Sequence, residues 1–304
     1  MNDEKRKSML AMPKGKIHAV IDSDTYNEVD DQFAIAYLLR CQNRISVDAI
    51  YAAPFLNEKV SSVKEGMECS FEEANRILSF FPKEERCSVF HGAGSFLKDE
   101  SKPVYSLAAE DLIRRSQNYS SESPLYVVGI AAATNIASAL LMEPQLSERI
   151  VVIWLGGSAL HRQGELEFNM MEDDEAARIL FASGVPLVHV PCWGLAEHFT
   201  VSFAELERYL IGKNDLSDYL AQAVIREVES YTTVPRWTKT IWDVVPAAWL
   251  LDRSGTWTHS HLMSAPIPKQ DGTYIQTNNR HLIRYMDLVE RDLLMNDLFD
   301  ALLK

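Results

Sequence analysis

The stretch DSDTYNEVDD, residues 22–31, holds five acidic side chains in ten positions: Asp22, Asp24, Glu28, Asp30 and Asp31. Like charges this close repel, so they either face open water or gather around something positive. Asp22 and Asp24 are two apart and point the same way in extended chain. Asp30 and Asp31 open an apolar run, DDQFAIAYLLR, with helical spacing. As consecutive helical residues they diverge by about 100° and can serve different partners. One reading is a pair of helix-capping aspartates beside a solvated turn. The other is an all-oxygen site for a hard cation, Ca2+ or Mg2+, with one carboxylate on the metal and another on a substrate hydroxyl.

Other polar residues stand where chemistry is possible. Glu167 and Asn169 bracket Phe168, so in extended chain both polar groups face one way while the phenylalanine packs elsewhere. The plain alternative is a polar loop before an acid-capped helix. Asp243 precedes a Pro-containing helical turn, DVVPAAWLL, where an N-cap is equally natural. Asn57 follows an apolar run and also suits a turn. Cys41, Cys69, Cys87 and Cys192 are scattered without a Cys-x-x-Cys pair, which speaks against structural zinc and fits a reduced compartment. No serine or cysteine stands in a persuasive nucleophile setting.

The elements that must position these residues alternate. Short apolar runs (KIHAVIDSD, ISVDAIYAAPF, CSVFHGAG, PLYVVGIAA, RIVVIWLGG and VPLVHVPCWG) are separated by helical stretches such as YSLAAEDLIRRSQ, TNIASALLM and DDEAARILFASG. Ser70 with Glu73 predicts a capping box at the start of SFEEANRILSFF, and Thr134 an N-cap. Such alternation predicts one α/β domain with a mostly parallel central sheet and helices on both faces, ligands binding at the strands' carboxyl ends. Residues 1–16 read as a polar lead-in and 17–304 as the domain. From Phe203 to Leu251 the pattern is mostly helical. Then SGTWTHSHLMSAPIPKQDGTYIQ reads as irregular, and LIRYMDLVERDLLMNDLFDALL as a closing amphipathic helix.

At 304 residues the chain can bury a large core, and 47% apolar residues is ordinary for a globular protein. The net charge of −13 argues against nucleic acid or an anionic membrane as partner. The start lacks an apolar signal-peptide region and no run reaches membrane-spanning length, so the expected location is cytoplasmic.

The ordered motifs resemble the inosine–uridine-preferring nucleoside hydrolases, which open on Asp-Thr-Asp-Pro-Gly-x-Asp-Asp followed by an apolar helix. DSDTYNEVDDQFA is similar, with two extra residues and no Pro-Gly. The resemblance implies a Rossmann-like fold, one Ca2+, cleavage of a ribonucleoside to free base and ribose in nucleoside salvage, and a homo-oligomer, dimer or tetramer. It implies Asp24, Asp31, Asp243 and the carbonyl of Ile130 as calcium ligands, with Asp24 also accepting the proton of the metal-bound water. Asp30, Asn57, Glu167, Asn169 and Asp243 would contact the sugar, and Asp22 would support the ligand set.

The chain departs from that family at two points of consequence. An asparagine that touches the sugar is matched by His161, and the histidine expected just before Asp243 is Trp242. Tryptophan is only a hydrogen-bond donor and cannot protonate a leaving base, though it can wall the pocket or stack, or pack in the core beside Trp249. His161 and His198 are the remaining candidates for that proton, with a plain loop position the alternative for His161 and a structural role the commoner one for a lone histidine such as His198. Two alternatives stand beside the hydrolase: a nucleoside- or ribose-binding homologue without turnover, and a Mg2+-dependent phosphohydrolase of the haloacid-dehalogenase type. The latter wants Asp-x-Asp-x-Thr, whereas the threonine here follows the second aspartate directly.

Overall fold

The computed structural model describes residues 1–162 and 164–304. Six parallel strands follow the predicted order: β1 (Ile17–Ser23), β2 (Ile45–Ala52), β3 (Ser88–His91), β4 (Leu125–Gly129), β5 (Ile150–Leu155) and β6 (Leu187–Val190). A short antiparallel pair, β7 (Thr200–Ser202) and β8 (Thr238–Thr240), lies outside the sheet. β9 (Thr258–Ser264) closes the edge, β10 (Ile267–Pro268) pairs with β11 (Tyr274–Ile275), and β12 (Leu282–Val289) joins β6 in parallel. The sheet runs β3-β2-β1-β4-β5-β6-β12-β9. Chain order reverses direction at β1 and β4, which opens a crevice beyond their carboxyl ends.

The helices cover both faces. They are α1 (Asp3–Met9), α2 (Asp31–Arg40), α3 (Val63–Ser79), α4 (Leu107–Ser116), α5 (Thr134–Met142), α6 (Phe168–Glu172), α7 (Asp174–Ala182), α8 (Phe203–Tyr209), α9 (Asp215–Tyr231), α10 (Val244–Leu251) and α11 (Arg291–Leu302). Alternate strand residues feed two cores, as the pleat requires. Ala19 and Ile21 pack with α2, α10 and α11 on one face, while Val20 packs with α4, α5 and α7 on the other. The result is a single α/β domain with a largely parallel sheet. No helix among the described residues is long and apolar enough to cross a membrane.

Several local expectations are corrected. The lead-in contains α1, whose Met9 and the following Leu10 are buried in the same core. Ser70 is no cap: α3 begins at Val63 with Ser62 accepting from the Glu65 N–H, and Ser70 lies buried inside the helix. The apolar contact continues through Gly66 and Met67, which extends the helix backwards past the serine. Ala133, not Thr134, is the N-cap of α5, because the Thr134 hydroxyl donates to Asp173 at 2.6 Å. The stretch read as irregular contains β9, and the first half of the supposed last helix is β12. In β12 the buried residues Ile283 and Tyr285 alternate with half-buried Leu282 and Arg284, a period of two that precedes the true helix α11.

Asn135 at the start of α5 ties the sheet's carboxyl end together. Its Nδ2 donates to Asp22 Oδ1 on β1 at 2.8 Å, and its Oδ1 accepts from the Ala93 N–H beyond β3 at 2.8 Å and from Ser106 Oγ at 3.2 Å. All of these groups are buried. Asn135→Ala leaves donors and a carboxylate without partners, so we expect a loss of about 2–4 kcal/mol in urea unfolding. A change below about 0.5 kcal/mol, the usual span for unimportant surface positions, would remove Asn135 from this role.

Candidate functional site

The carboxyl ends of β1, β4, β5 and β6 open into one cleft of about 730 Å3, open solvent at its mouth included. Asp24, Asn27 and Glu28 reach it from the loop after β1, Asp30 and Asp31 from the start of α2, Ile130 from beyond β4 and Leu155 from the end of β5. Cys192 and Trp193 follow β6, Leu166 to Asn169 and Met171 come from the α6 segment, and Trp242 with Asp243 precedes α10.

Carboxylate oxygens of Asp30, Asp31 and Asp243 lie within 4.8 Å of one another, all buried. Asp30 and Asp243 occupy the N-cap positions of α2 and α10, yet neither side chain caps its helix. The plain capping reading therefore fails for both. Instead Asp30 Oδ2 accepts the Asp243 N–H at 3.3 Å, and Asp31 Oδ1 accepts Ser23 Oγ at 2.5 Å. Asp31 and Asp243 also approach within hydrogen-bonding reach of each other. Burial raises the Asp31 carboxyl to about 6, with Ser23 and Asp243 opposing the shift. Burial, then repulsion from Asp30, Asp31 and Asp24, pushes Asp243 well above the carboxylate range. Asp30 is raised by burial and by Glu28, against the pull of Lys239.

Such a group is stable only with shared protons or a cation among the oxygens. Hard oxygen donors without a thiolate or imidazole suit Ca2+ or Mg2+. The residues present thus fit a divalent metal ion. Lys239 is the cation nearest Asp30 by its electrostatic effect, but it pairs with Glu28 and, at 3.2 Å, with Glu227.

Asp24 lines the pocket outside this tight triad, and its Oδ2 accepts Asn27 Nδ2 at 3.0 Å. Burial raises it first, then the charges of Asp31 and Glu172. The tight triad is Asp30, Asp31 and Asp243, and Asp24, implied as a ligand by the resemblance, lines the same pocket beside it and its charge raises Asp243. Ile130 lines the pocket, and its N–H donates to the Asp22 carbonyl at 2.9 Å. Asp22 lies behind the lining, held by Asn135 and raised by burial to about 7.

Glu167 and Asn169 both line the pocket, Glu167 from extended backbone and Asn169 from inside the short helix α6. Glu167 is the N-cap of α6 and accepts the N–H groups of Gly157 at 2.5 Å, Asn169 at 2.9 Å and Met170 at 3.0 Å. Gly157 has φ +70°, and a Cβ there would strike the Tyr274 hydroxyl, so only glycine presents this N–H. Asn169 Nδ2 donates to the Leu155 carbonyl at 3.0 Å, and Phe168 lines the pocket too. Asn57 is not in the lining; its Nδ2 donates to Asn27 Oδ1 at 2.8 Å, and so reaches Asp24 through Asn27.

His161 and His198 are both exposed and outside the lining, which among the described residues contains no histidine, lysine or arginine. Trp242 is half-buried in the pocket wall, edge-to-face with Trp193 at 5.1 Å and 73°, rather than paired with Trp249. Sequence reasoning missed Asn27, Trp193, Leu166, Met171 and Cys192. Trp193 and Cys192 follow a strand in VPCWG, the place where such sheets bind ligands, and that was the available signal.

The raised carboxyls set a sign for pH. With Asp22 near 7 and Asp31 near 6, the folded metal-free protein keeps protons that the unfolded chain, with carboxyls near roughly 4, has released. The stability from this source is full below about pH 4 and is lost as pH rises to about 7. Chelator-treated protein should therefore unfold at a lower temperature at pH 8 than at pH 5.5, and excess divalent cation should narrow or reverse that gap. Thermal midpoints at both pH values, with and without chelator, check this. Greater stability of the chelated protein at pH 8 would contradict it.

Residues 19–287 match the model of the family described as inosine-uridine preferring nucleoside hydrolase. A pyrimidine-specific ribonucleoside hydrolase of Salmonella paratyphi A is 30% identical over 132 residues, 42% of each chain. A probable ribonucleoside hydrolase of Dictyostelium discoideum is 22% identical over 185 residues, 53% of this chain and 54% of that one. The chain thus spans about half the length of the curated relatives it matches. A plant nucleoside hydrolase structure superposes with TM-score 0.74 at 19% identity, covering 95% of this chain and 99% of that one. A purine-preferring ribonucleoside hydrolase from Gardnerella vaginalis gives TM-score 0.76 at 18% identity, covering 94% and 98%. These likenesses carry the fold, and the family match over most of the chain carries membership: the protein belongs to the inosine–uridine-preferring nucleoside hydrolase family, as a divergent member.

Proposed function

We propose that the protein is a calcium-dependent ribonucleoside hydrolase that releases a free base and ribose. The observation that carries this reading is the buried Asp30–Asp31–Asp243 triad at the floor of a pocket without a basic side chain. A phosphohydrolase would need cations around its phosphate, and among the described lining residues there are none. Asp30, Asp31, Asp243 and the Ile130 carbonyl would hold the ion, which when bound supplies a polarised water of lowered pKa.

In this reading the C1′–N bond breaks, water oxygen bonds to C1′, and positive charge gathers on the sugar as the bond stretches. The surrounding carboxylates stabilise that charge. Asp24, beside the triad rather than in it, accepts the water's proton. Glu167 is fixed by three backbone donors and Asn169 by the Leu155 carbonyl, so both present a rigid edge to the sugar hydroxyls. The departing base must gain a proton or leave without help, and the described lining residues include no histidine to supply one. That absence is also what favours the second reading, a homologue that binds nucleosides without turnover.

Reducing-sugar release from a panel of nucleosides, with and without chelator, tests the proposal. We expect chelator-sensitive release by wild type and one tightly bound calcium per subunit. Asp31→Asn should lose metal and at least about a hundredfold in rate while keeping its fold, because the residue sits outside the apolar cores. Wild type that neither contains nor takes up calcium would end the metal assignment, and ligand-stabilised protein that releases no sugar would favour the binding homologue.

Trp242 sets the second expectation. Inosine needs help at its leaving group, whereas p-nitrophenyl riboside carries an activated one. We expect kcat/KM for the synthetic riboside to exceed that for inosine by about a hundredfold or more, the scale of a missing general acid. Near-equal values would show that leaving-group activation is intact despite the tryptophan.

A further inference from the structure

The pocket has two ends of opposite chemistry. Its floor is the acid triad, at most 5% exposed. Its mouth is apolar and wet: Leu166 is 55% exposed, Met171 52% and Trp193 36%, and all three line the pocket. Leu56, exposed at 45% but outside the lining, stands near this rim, its N–H donating to Glu172, the residue after Met171. Single exposed apolar side chains are ordinary, but a contiguous group around a pocket marks a binding surface.

The rim is also held in place. Leu166 immediately precedes Glu167, and Met171 lies on the short helix that Glu167 caps, its own N–H donating to the Glu167 carbonyl at 2.8 Å. Trp193 meets Trp242 edge-to-face, making a corner with two aromatic surfaces. Arg162 stacks on Trp193 with 5.6 Å from its guanidinium carbon to the ring centroid, but its donors go to Glu165 and Glu197. Glu28, the charged lining residue at the pocket's edge, is paired with Lys239, and Leu166, Met171 and Trp193 offer no charge to a polar aglycone.

We infer that the preferred substrates are ribosides whose aromatic aglycone carries an apolar substituent. The aromatic ring meets Trp193 and Trp242, and the substituent covers Leu166 and Met171. This rests on the ribosidase reading above, which sets the sugar on the floor and so points the aglycone outward. Binding energy from a substituent remote from the reacting bond also helps orient a site that lacks a proton donor for the base.

The test compares adenosine with N6-benzyladenosine and N6-cyclohexyladenosine, by initial rates of sugar release and by tryptophan-fluorescence titration. At least one derivative should show about tenfold or greater advantage in kcat/KM, residing in KM, and a matching advantage in binding. The double variant Leu166→Ser, Met171→Ser should bring that ratio to within about twofold of unity. Both residues are exposed, so its thermal midpoint should match wild type.

Equal or poorer performance of both derivatives, or a ratio that survives in the double variant, overturns the inference while leaving ribosidase activity intact. A rim variant that changes the oligomer mass but not the ratio overturns it too, and makes the rim a contact between copies of the chain. If no riboside is cleaved yet a derivative binds about tenfold more tightly than adenosine, the hydrolase reading fails and the ligand class stands. If no riboside is cleaved and none is bound selectively, both fall.

Discussion

The structure is organised around a repulsion. Asp24, Asp30, Asp31 and Asp243 are each at most 5% exposed and share one pocket, with Glu28 at its edge. Burial alone raises every one of the four carboxyls, and their mutual charge raises most of them further. A chain selected only for stability would replace such a group by apolar residues, because desolvated like charges oppose folding. Its persistence here makes sense only for a site completed by something positive. A divalent ion and a sugar that becomes cationic as its bond breaks both meet that need, and both would draw on the same carboxylates.

The fold supplies the rigidity this repulsion demands. Asp22 and Asp24 leave β1 at the point where chain order reverses, Ile130 leaves β4 beside it, and α2 and α10 aim Asp30 and Asp243 from their first turns. Free N–H groups and the helix dipole favour a carboxylate at each of those positions even without a capping bond. Behind them Asn135 joins β1 to the loops after β3, and Asp173 joins Thr134, the Leu97 N–H and the start of α7. The loop after β1 gains a different brace: Lys59 donates to the Asn27 carbonyl at 2.6 Å, and Lys239 pairs with Glu28. These lysines hold the loop that is two residues longer than the family motif and lacks its Pro-Gly turn.

How much of this could be read beforehand followed from how each residue type advertises itself. Acids clustered beside apolar runs are costly unless used, so the four aspartates stood out in sequence, and the structure brings them to one pocket. The parallel strands were legible because buried strands are continuous apolar runs. β9 and β12 were not: as an antiparallel edge pair they are only half buried, and THSHLMS and LIRYMDLV carry too few apolar residues to separate strand from loop or helix. Ser70 and Thr134 misled because a hydroxyl near a helix start is as useful inside a core contact as on a cap. Glu167 and Asn169 were found by type, but Asn169 lies in a helix rather than in extended chain, since a five-residue helix leaves no periodicity to detect. Trp193, Leu166 and Met171 escaped because an apolar residue announces a core position, and only coordinates show that these face water.

The substitution at Trp242 connects the two ends of the pocket. An imidazole at that place would spend binding energy on a polar contact to the base and return it as protonation in the transition state. An indole offers no proton to transfer, but it adds apolar area and a partner for Trp193. In the proposed hydrolysis, losing the acid would shift the burden of catalysis to the sugar end, where Asp24, the triad and Glu167 would act before the base departs. The same exchange adds to an apolar wall that includes Leu166 and Met171, and in the proposed reading grip on the aglycone would replace chemistry on it. Reaction would then depend on how readily the aglycone leaves and how much apolar surface it brings, while the acid floor treats every riboside alike.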